Sequence, residues 1–340
     1  MNATYDALIL VSFGGPEGPD DVMPFLENVL KGRDVPRQRM LKVAEHYMAF
    51  GGVSPINENN RALISLLERE LAEHDMSLPI YFGNRNWNPM LSDTLEQMKQ
   101  DGVRRALAIV TSGYGSYSSC RQYLDNLEEA RKGIGEGAPQ VDKMRLFFNH
   151  PGFLESMVAC TNRALGQVDE ERRQDCRLLF TAHSIPLSMS VGCRYAEQLE
   201  ETARFIAAES GISNWQLVYQ SRSGSPHQPW LEPDVCDAIR ESAGDGTRDI
   251  VVVPVGFISA HMEILFDLDT EARELCEQLD IKMVRADTVG HEPRFITMLR
   301  ELIEERIGEK DPLAVGNLAA PPHVCVADCC PIGVSGGRPG

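Results

Sequence analysis

The chain has 340 residues, of which 43% are hydrophobic and 24% are charged, so it can bury one large or two ordinary cores and is not intrinsically disordered. Its 50 acidic residues exceed its 33 lysines and arginines. The resulting formal charge of -17 argues against nucleic acid as a partner, because binding to phosphates needs a basic surface. The longest apolar runs, at 7–13 and 250–257, are far shorter than the roughly 20 residues that span a bilayer, so neither a transmembrane helix nor integral membrane contact is expected.

Short apolar or β-branched runs alternate with longer segments of helical period, which is typical of parallel sheets with helices on both faces. The predicted strands lie at 7–13, 78–82, 106–110, 144–148, 178–182, 216–219, 250–255 and 282–285. Helical patterns cover 20–30, 38–50, 60–73, 193–209, 261–279 and 294–307, and Ser92 is a candidate N-cap for one further helix. The sequence therefore predicts an α/β protein.

A break at 149–152, with the sequence Asn-His-Pro-Gly, divides the predicted strands into four and four. We call residues 1–149 the first half and residues 150–310 the second half, and we expect two similar α/β units with a cleft between them. Residues 311–340 form a tail with five prolines and five glycines, too many for a helix or a strand. That tail holds Cys325, Cys329 and Cys330.

The turn after the first predicted strand does not fit a nucleotide site. A dinucleotide-binding turn needs glycines in a G-x-G-x-x-G register. If Gly14 is the first glycine of such a motif, the third position, which must also be glycine, is Pro16. The second strand also ends without the acidic residue that would bind a ribose. No nucleotide cofactor is therefore expected.

The cysteine count indicates a reducing environment. Nine cysteines are an odd number spread over a long chain, which favours reduced thiols or metal ligands over a disulfide framework. The amino terminus shows no basic region followed by an apolar core. A cytoplasmic location is therefore expected.

An acidic row and a histidine are the candidate chemical groups. Glu263, Asp267 and Glu271 are spaced at i, i+4 and i+8, which places them on one face of a helix, either as a solvated surface or as oxygen ligands for a divalent cation. His183 follows a predicted strand, where α/β sheets bind ligands, although a single histidine is often only structural. Together His183 and Glu263 suit Fe²⁺ binding and equally suit proton removal from a weak acid.

The motifs resemble those of the ferrochelatases, and most closely the coproporphyrin ferrochelatases of monoderm-type bacteria. The resemblance covers about residues 5–308. It rests on the segments LVSFGGP at 10–16, GGVSP at 51–55, GN at 83–84, SYSSCRQY at 116–123, TAHSIP at 181–186, YQS at 219–221 and the segment 256–271. It implies two Rossmann-like domains, each with a four-stranded parallel sheet, that hold a porphyrin in a cleft, with the last helix packing back on the first domain.

The resemblance also implies roles for individual residues. His183 and Glu263 match the inner pair at the metal site, and Asp267 and Glu271 match outer acidic residues thought to accept hydrated cations. The residues expected to contact the porphyrin are Ser54, Tyr123, Arg33 and Ser221. Phe13 departs from those relatives that have an iron-binding tyrosine at this position, so residue 13 is not expected to be an axial ligand.

Some ferrochelatases carry a [2Fe-2S] cluster held by one internal cysteine and three near the C-terminus. The set Cys160, Cys325, Cys329 and Cys330 looks similar, because four thiolates suit an iron–sulfur cluster or zinc. We expect a cluster, with zinc or free thiols as alternatives. The other five cysteines have the pattern of small apolar residues.

The sequence as a whole predicts a ferrochelatase that inserts Fe²⁺ into coproporphyrin III in haem biosynthesis. The absence of a membrane-binding segment favours this four-propionate substrate over protoporphyrin IX. A sirohydrochlorin chelatase for cobalt or nickel and a non-catalytic tetrapyrrole carrier are the alternatives. The individual roles of His183 and Glu263 stay open at this stage.

Overall fold

Two parallel sheets form the framework of the computed structural model, which describes residues 5–32, 35–223, 227–326 and 329–332. Within these ranges the strands are β1 Ala7–Ser12, β2 Ile80–Asn84, β3 Arg105–Val110, β4 Gln140–Lys143, β5 Arg177–His183, β6 Trp215–Gln220, β7 Asp249–Val253 and β8 Lys282–Arg285. The first sheet has the order β2-β1-β3-β4 and the second the order β6-β5-β7-β8. Every neighbouring pair is parallel, which confirms the predicted fold class.

Helices cover the faces of both sheets. They are α1 Val22–Val29, α2 Arg37–Ala49, α3 Ile56–Glu73, α4 Leu91–Gln100, α5 Gln122–Ile134, α6 Pro151–Leu165, α7 Leu187–Ser190, α8 Tyr195–Glu209, α9 Val235–Gly244, α10 Arg273–Gln278 and α11 Pro293–Ile307. Shorter 3-10 turns lie at Pro19–Asp21, Glu170–Asp175 and Val289–His291, and π-helical segments at Tyr117–Arg121 and Ile264–Ala272. In the part of the chain that the structure describes, no helix has both the length and the apolar composition needed to cross a bilayer.

The order of the strands identifies where ligands can bind. All six residues of β1 are buried, as expected for a central parallel strand covered on both faces. In each sheet the chain first adds a strand on one side and then continues on the other, so the direction switches between β1 and β3, and again between β5 and β7. Crevices form beyond the carboxyl ends of the strands at such switch points.

One predicted strand is wrong. Residues 144–148 are not in a sheet, and the edge strand lies at Gln140–Lys143 instead. The apolar run was misleading because these residues are buried between the two halves. Phe147 contacts Phe153 and Phe295, with ring centroids 5.7 and 6.0 Å apart. Burial by tertiary packing therefore produced the hydrophobic pattern that predicted a strand.

Two helix predictions also need correction. Ser92 is not an N-cap, because α4 already begins at Leu91, whose side chain is buried. The predicted helix at 261–279 is divided into the π-helical segment Ile264–Ala272 and α10. Ile264, Leu268 and Ala272 form a buried stripe on this segment and pack into the core of the second half.

The last helix joins the two halves. α11 packs against α6 of the second half and against α3 of the first half. One continuous apolar core includes Leu8 of β1, Phe180 of β5 and Phe295 of α11. Because this core is shared, the two sheets hold a fixed relation to each other and to the crevice between them.

A buried ion pair anchors the end of α11. The guanidinium of Arg145 donates to both carboxylate oxygens of Glu305, at 2.7 and 2.9 Å, and their side chains are 0% and 1% exposed. The backbone N–H of Leu313 donates to the same carboxylate at 2.9 Å, and Nε2 of His150 lies 3.6 Å from it. Although burial alone would raise the pKa of Glu305, the adjacent ring of His150 and the hydrogen bonds from Arg145 and Leu313 lower it to about 2.

This low pKa predicts a loss of stability in acid. Glu305 is deprotonated in the folded state down to about pH 2 but only to about pH 4.5 when unfolded. Its stabilising contribution is therefore complete above pH 4.5 and is lost as the pH falls toward 2. We expect the free energy of unfolding of the wild type to fall more steeply over this range than that of Glu305→Gln. Glu309→Gln, at an exposed position, is the control, and equal slopes for all three proteins would contradict the prediction.

Candidate active site

His183 is the last residue of β5 and lies at the switch point of the second sheet. Its Nδ1 is hydrogen-bonded to the backbone carbonyl of Ser184. Since a carbonyl can only accept, Nδ1 carries the proton and Nε2 has a free lone pair. That Nε2 lies 3.6 Å from Oε1 of Glu263, and the two side chains are 35% and 38% exposed. The structure thus brings together the two residues of the predicted inner pair.

A glycine allows this approach. After β7 the chain passes directly over the end of β5, and the N–H of Gly256 donates to the carbonyl of Thr181 at 3.0 Å. A Cβ at Gly256 would lie 2.6 Å from the Cβ of Ala182, closer than any side chain tolerates. The close contact places the following segment, which ends in Glu263, beside His183. Gln220 fixes that segment further by donating to the carbonyl of Glu263 at 3.1 Å.

The acidic row continues outward along the π-helical segment. Asp267 accepts hydrogen bonds from Gln220, at 3.2 Å, and from the hydroxyl of Ser221. Burial, together with the charges of Glu263 and Glu271, outweighs these bonds and raises the pKa of Asp267 to about 7. Glu271 is exposed, and burial of part of its side chain and the charge of Asp234 raise its pKa. The row therefore runs from solvent at Glu271 to the crevice at Glu263.

The inner pair forms an open site. Within the described ranges, no three His, Cys, Asp or Glu side chains converge closely enough to hold a metal ion in a preformed cage. One imidazole and one carboxylate leave most coordination positions of an ion free. Such a site can pass a cation on more readily than it can retain it.

Helix α2 of the first half covers this site, which the sequence did not predict. The ring of His46 stacks on Phe266 with centroids 3.6 Å apart, and Arg39 donates to the carbonyl of Ser223 at 2.6 Å. Burial, together with the carboxylates of Glu263 and Asp267, raises the pKa of Tyr47, so its hydroxyl stays protonated. Nothing in the hydrophobic pattern of α2 distinguishes His46 and Tyr47 from residues that only pack in the core.

His261 is another residue of the site that the sequence did not predict. Its Nδ1 accepts a hydrogen bond from the backbone N–H of Glu263 at 3.2 Å. Burial lowers the pKa of His261, although the charge of Glu263 acts in the opposite direction. The neutral ring caps the start of the acidic segment, and its position two residues before Glu263 is the signal that could have identified it.

The predicted porphyrin contacts are divided between two places. Ser54 is buried beside Gly15, and its N–H donates to the carbonyl of Pro16 at 2.8 Å. Tyr123 is buried under a guanidinium, with Cζ of Arg85 4.6 Å from its ring centroid. Ser221 instead contacts the acidic row at Asp267. Arg33 lies outside the described residues.

Arg85 is the residue of this region that sequence reasoning passed over. Its guanidinium lies between Tyr123 and Phe13, whose ring centroid is 5.7 Å away, and its Nε donates to Asn126 at 2.7 Å. Phe13 directly follows β1, and its hydrocarbon ring has no atom that could bind a metal ion. A cation at the switch point of the first sheet is suited to bind carboxylates.

The predicted cysteine set is not brought together. Cys325, Cys329 and Cys330 line a cavity of about 180 Å³ whose fourth cysteine is Cys120. Cys160 instead lies in α6, where Arg163 donates to its sulfur at 3.3 Å. Burial and the charge of Glu292 raise the pKa of Cys160 to about 12. Burial and the neighbouring sulfurs of Cys329 and Cys120 raise that of Cys325 to about 11.

Comparison with known proteins identifies the family. The sequence profile described as "Ferrochelatase" matches residues 5–307 of the chain. The chain belongs to the ferrochelatase family. A protein named ferrochelatase from Rhodopirellula baltica is 52% identical over 342 residues, which cover 98% of this chain and 97% of that protein. A protein named coproporphyrin III ferrochelatase from Streptomyces coelicolor is 48% identical over 350 residues, with coverages of 96% and 93%.

Solved structures support the fold. The cobalt complex of the sirohydrochlorin chelatase SirB from Bacillus subtilis subspecies spizizenii is similar, with a TM-score of 0.52. The match covers 88% of this chain and 95% of that one at 10% sequence identity, so it concerns the fold alone. As a ferrochelatase, the protein is a porphyrin metal-chelating lyase with Fe²⁺ and a porphyrin as substrates.

The contact at Gly256 gives a prediction for this ferrochelatase. Gly256→Ala should push the segment carrying Glu263 away from β5, because the added methyl has no space beside Ala182. We expect the rate of iron insertion to fall by about tenfold or more, since a displacement of about 1 Å at a catalytic group has large effects. Gly133→Ala, at a helical position with no atom within 4 Å of the added carbon, is the control. Equal rates for both variants would contradict the proposed positioning.

Proposed function

We propose that this ferrochelatase inserts Fe²⁺ into coproporphyrin III to give Fe-coproporphyrin III, with His183 and Glu263 as its catalytic pair. The observation that carries the catalytic assignment is the 3.6 Å approach of Nε2 of His183 to the carboxylate of Glu263 at the switch point of the second sheet. The choice of porphyrin is supported by several relatives at 46–48% identity that are named coproporphyrin III ferrochelatase.

Insertion exchanges two pyrrole N–H protons for one Fe²⁺ ion, so both protons must leave the centre of a flat ring. Because Nδ1 of His183 is already protonated and hydrogen-bonded to Ser184, its Nε2 is the atom that accepts a proton. The carboxylate of Glu263, whose Oε1 lies 3.6 Å from this Nε2, then takes that proton or holds the incoming ion. Two such transfers remove both protons while the doubly charged ion enters, so the net charge at the centre of the ring does not change.

The acidic row supplies the route for the cation. Glu271 is exposed, Asp267 is hydrogen-bonded inside, and Glu263 reaches His183. Carboxylates in this order bind a hydrated divalent ion weakly and in succession, which suits transfer better than storage. We place Asp267 and Glu271 as the outer ligands of this route.

Carboxylates of the porphyrin require donors at the other end of the crevice. Tyr123 and Ser54 lie near the switch point of the first sheet, and Arg85 adds a guanidinium beside Tyr123. We assign the propionates to this end. The net charge of -17 does not exclude an anionic ligand here, because its steering depends on the local field, to which Arg85 contributes a positive charge.

We further propose that the tail cysteines Cys325, Cys329 and Cys330 hold a [2Fe-2S] cluster. The sulfurs of Cys329 and Cys330 are 3.5 Å apart. Two thiolates on one tetrahedral ion with bonds of about 2.3 Å lie roughly 3.7 Å apart, so this pair fits a shared iron. When bound, the cluster supplies electron-transfer capacity and cross-links the tail.

We also propose the division into residues 1–149, 150–310 and the tail 311–340. It is supported by the grouping of β1 to β4 and β5 to β8 into separate sheets. A cytoplasmic location stays a prediction from the sequence.

An anaerobic metallation assay tests the function. Purified protein is mixed with Fe²⁺ or Co²⁺ and with coproporphyrin III, protoporphyrin IX or sirohydrochlorin, and the visible spectrum is followed over time. We expect the highest kcat/KM for Fe²⁺ with coproporphyrin III. A preference for protoporphyrin IX or sirohydrochlorin would refute the substrate assignment, and a spectral shift without turnover would indicate a carrier.

A further inference from the structure

The backbone carbonyl of His183 lies beyond the end of the neighbouring strand. Backbone groups alternate along a strand, so carbonyls two residues apart point to the same edge. On the edge of β5 that faces β7, the carbonyl of Thr181 accepts the N–H of Gly256 at 3.0 Å. Strand β7 itself ends at Val253, opposite Phe180. The next carbonyl on that edge belongs to His183, and it therefore needs a donor from outside the sheet.

A buried phenol supplies that donor. The hydroxyl of Tyr195, the first residue of α8, donates to the carbonyl of His183 at 3.0 Å. Tyr195 is 4% exposed, and its ring packs edge-to-face on Tyr114 of the first half, with centroids 6.3 Å apart. Burial raises the pKa of Tyr195 well above its ordinary value, so the hydroxyl keeps the proton that it donates. The packed ring thus presents a fixed donor to β5.

We infer that Tyr195 is a positioning residue for His183 in the insertion of Fe²⁺. This inference rests on the proposed catalytic role of His183 and adds a group that orients it. The peptide unit between His183 and Ser184 is held at both ends, because its carbonyl accepts from Tyr195 and its N–H donates to the carbonyl of Gln220 at 2.8 Å. Fixing this peptide fixes the direction in which Nε2 of the imidazole points toward Glu263, 3.6 Å away.

A hydrogen bond to a buried carbonyl can also serve stability alone. In that case its loss would destabilise the protein and would act on the insertion rate independently of His183. If Tyr195 orients the imidazole, the loss appears in kcat, and only while the imidazole is present. Tyr195→Phe distinguishes the two roles, because it removes the hydroxyl and retains the ring that packs on Tyr114.

The first measurement is steady-state insertion of Fe²⁺ into coproporphyrin III by the full chain, followed anaerobically by the visible spectrum. In Tyr195→Phe we expect kcat to fall about tenfold, since small displacements of a catalytic group have large effects on rate. KM for the porphyrin should change by less than about twofold, because the expected propionate contacts lie at the other end of the crevice. Circular dichroism and quenching of porphyrin fluorescence verify folding and binding.

Tyr5→Phe is the matched control. Tyr5 is 6% exposed, and its hydroxyl donates to Asp142 at 2.9 Å. It precedes β1, at the end of the first sheet opposite to the crevice. The variant therefore loses a buried tyrosine hydrogen bond of the same kind and should keep the wild-type kcat.

The second measurement adds Tyr195→Phe to His183→Ala and compares the residual rates with enzyme in excess over porphyrin. The added substitution should change the residual rate by less than about twofold, because the imidazole that Tyr195 orients is already gone. A full loss of about tenfold in this background would show a structural role and overturn the inference. A wild-type kcat in Tyr195→Phe would overturn it as well, while leaving the proposed function intact. A wild-type rate in His183→Ala would refute the catalytic assignment and this inference together.

Discussion

His183→Ala is expected to lower the rate of iron insertion by roughly 10²- to 10⁴-fold, the usual contribution of a general base. The imidazole has its Nδ1 proton committed to the carbonyl of Ser184, so its Nε2, 3.6 Å from Oε1 of Glu263, is the ring nitrogen that can accept a proton from the porphyrin. Porphyrin binding should change little, because the expected propionate contacts lie at the other end of the crevice. Insertion is measured from the visible spectrum and binding from quenching of porphyrin fluorescence.

Two comparisons make this test specific. His74→Ala, on the exposed end of α3, should retain full activity. Free imidazole added to His183→Ala should restore part of the rate if the missing group is the only defect. A His183→Ala enzyme with the wild-type rate would refute the catalytic assignment.

Glu263→Gln keeps the shape of the side chain and removes its charge. We expect a large loss of the rate of iron insertion in this variant, because the carboxylate is proposed to accept a proton or to hold the incoming ion. Since the two side chains form a pair, the effects of His183→Ala and Glu263→Gln should not add in the double variant.

Breaking the buried ion pair at the end of α11 has the largest expected effect on stability. Arg145→Met leaves the carboxylate of Glu305 almost fully buried without its main partner, which costs about 3–5 kcal/mol. The fold should loosen where Arg145 joins α11 to the tail, because its guanidinium also donates to the carbonyl of Leu313 at 2.8 Å. Equilibrium unfolding in urea measures the change.

The double variant Arg145→Met/Glu305→Leu separates charge from packing. Because both charges are removed, it should recover part of the stability that Arg145→Met loses. Arg104→Met, at an exposed surface pair with Asp6, is the control and should stay within about 0.5 kcal/mol of the wild type. A loss below about 1 kcal/mol in Arg145→Met would show that the pair contributes little.

Some residues of the active site can be predicted from sequence patterns, whereas others are found only in the tertiary structure. His183 ends β5 and Glu263 lies in the connection after β7, so the topology predicts that both residues lie at the same edge of the second sheet. His46 and Tyr47 lie on a helix of the other half, and only the packing of α2 over the second half brings them to the site. Arg85 is also placed by tertiary packing, because its neighbours Phe13 and Tyr123 come from two other parts of the first half, the end of β1 and the start of α5.

The cysteines show the same limit. A count of thiols and the resemblance to a family suggested Cys160 as the partner of the tail, and their order along the chain gave no reason to prefer Cys120. The structure places Cys120 in the cavity and Cys160 in α6. Which internal cysteine faces the tail depends on how residues 311–326 and 329–332 lie against the first half, and no local pattern encodes that path.

Local chemistry thus determined the α/β class, seven of the eight strands and the acidic row, because strand and helix periods depend on residues within a few positions of each other. Burial of 144–148, the covering of the site by α2, and the neighbours of the tail cysteines were decided only by tertiary structure. These features depend on contacts between residues far apart in the chain, such as Arg39 and Ser223, which are 184 positions apart. The free energy of such contacts exists only once the two halves have packed around their shared core.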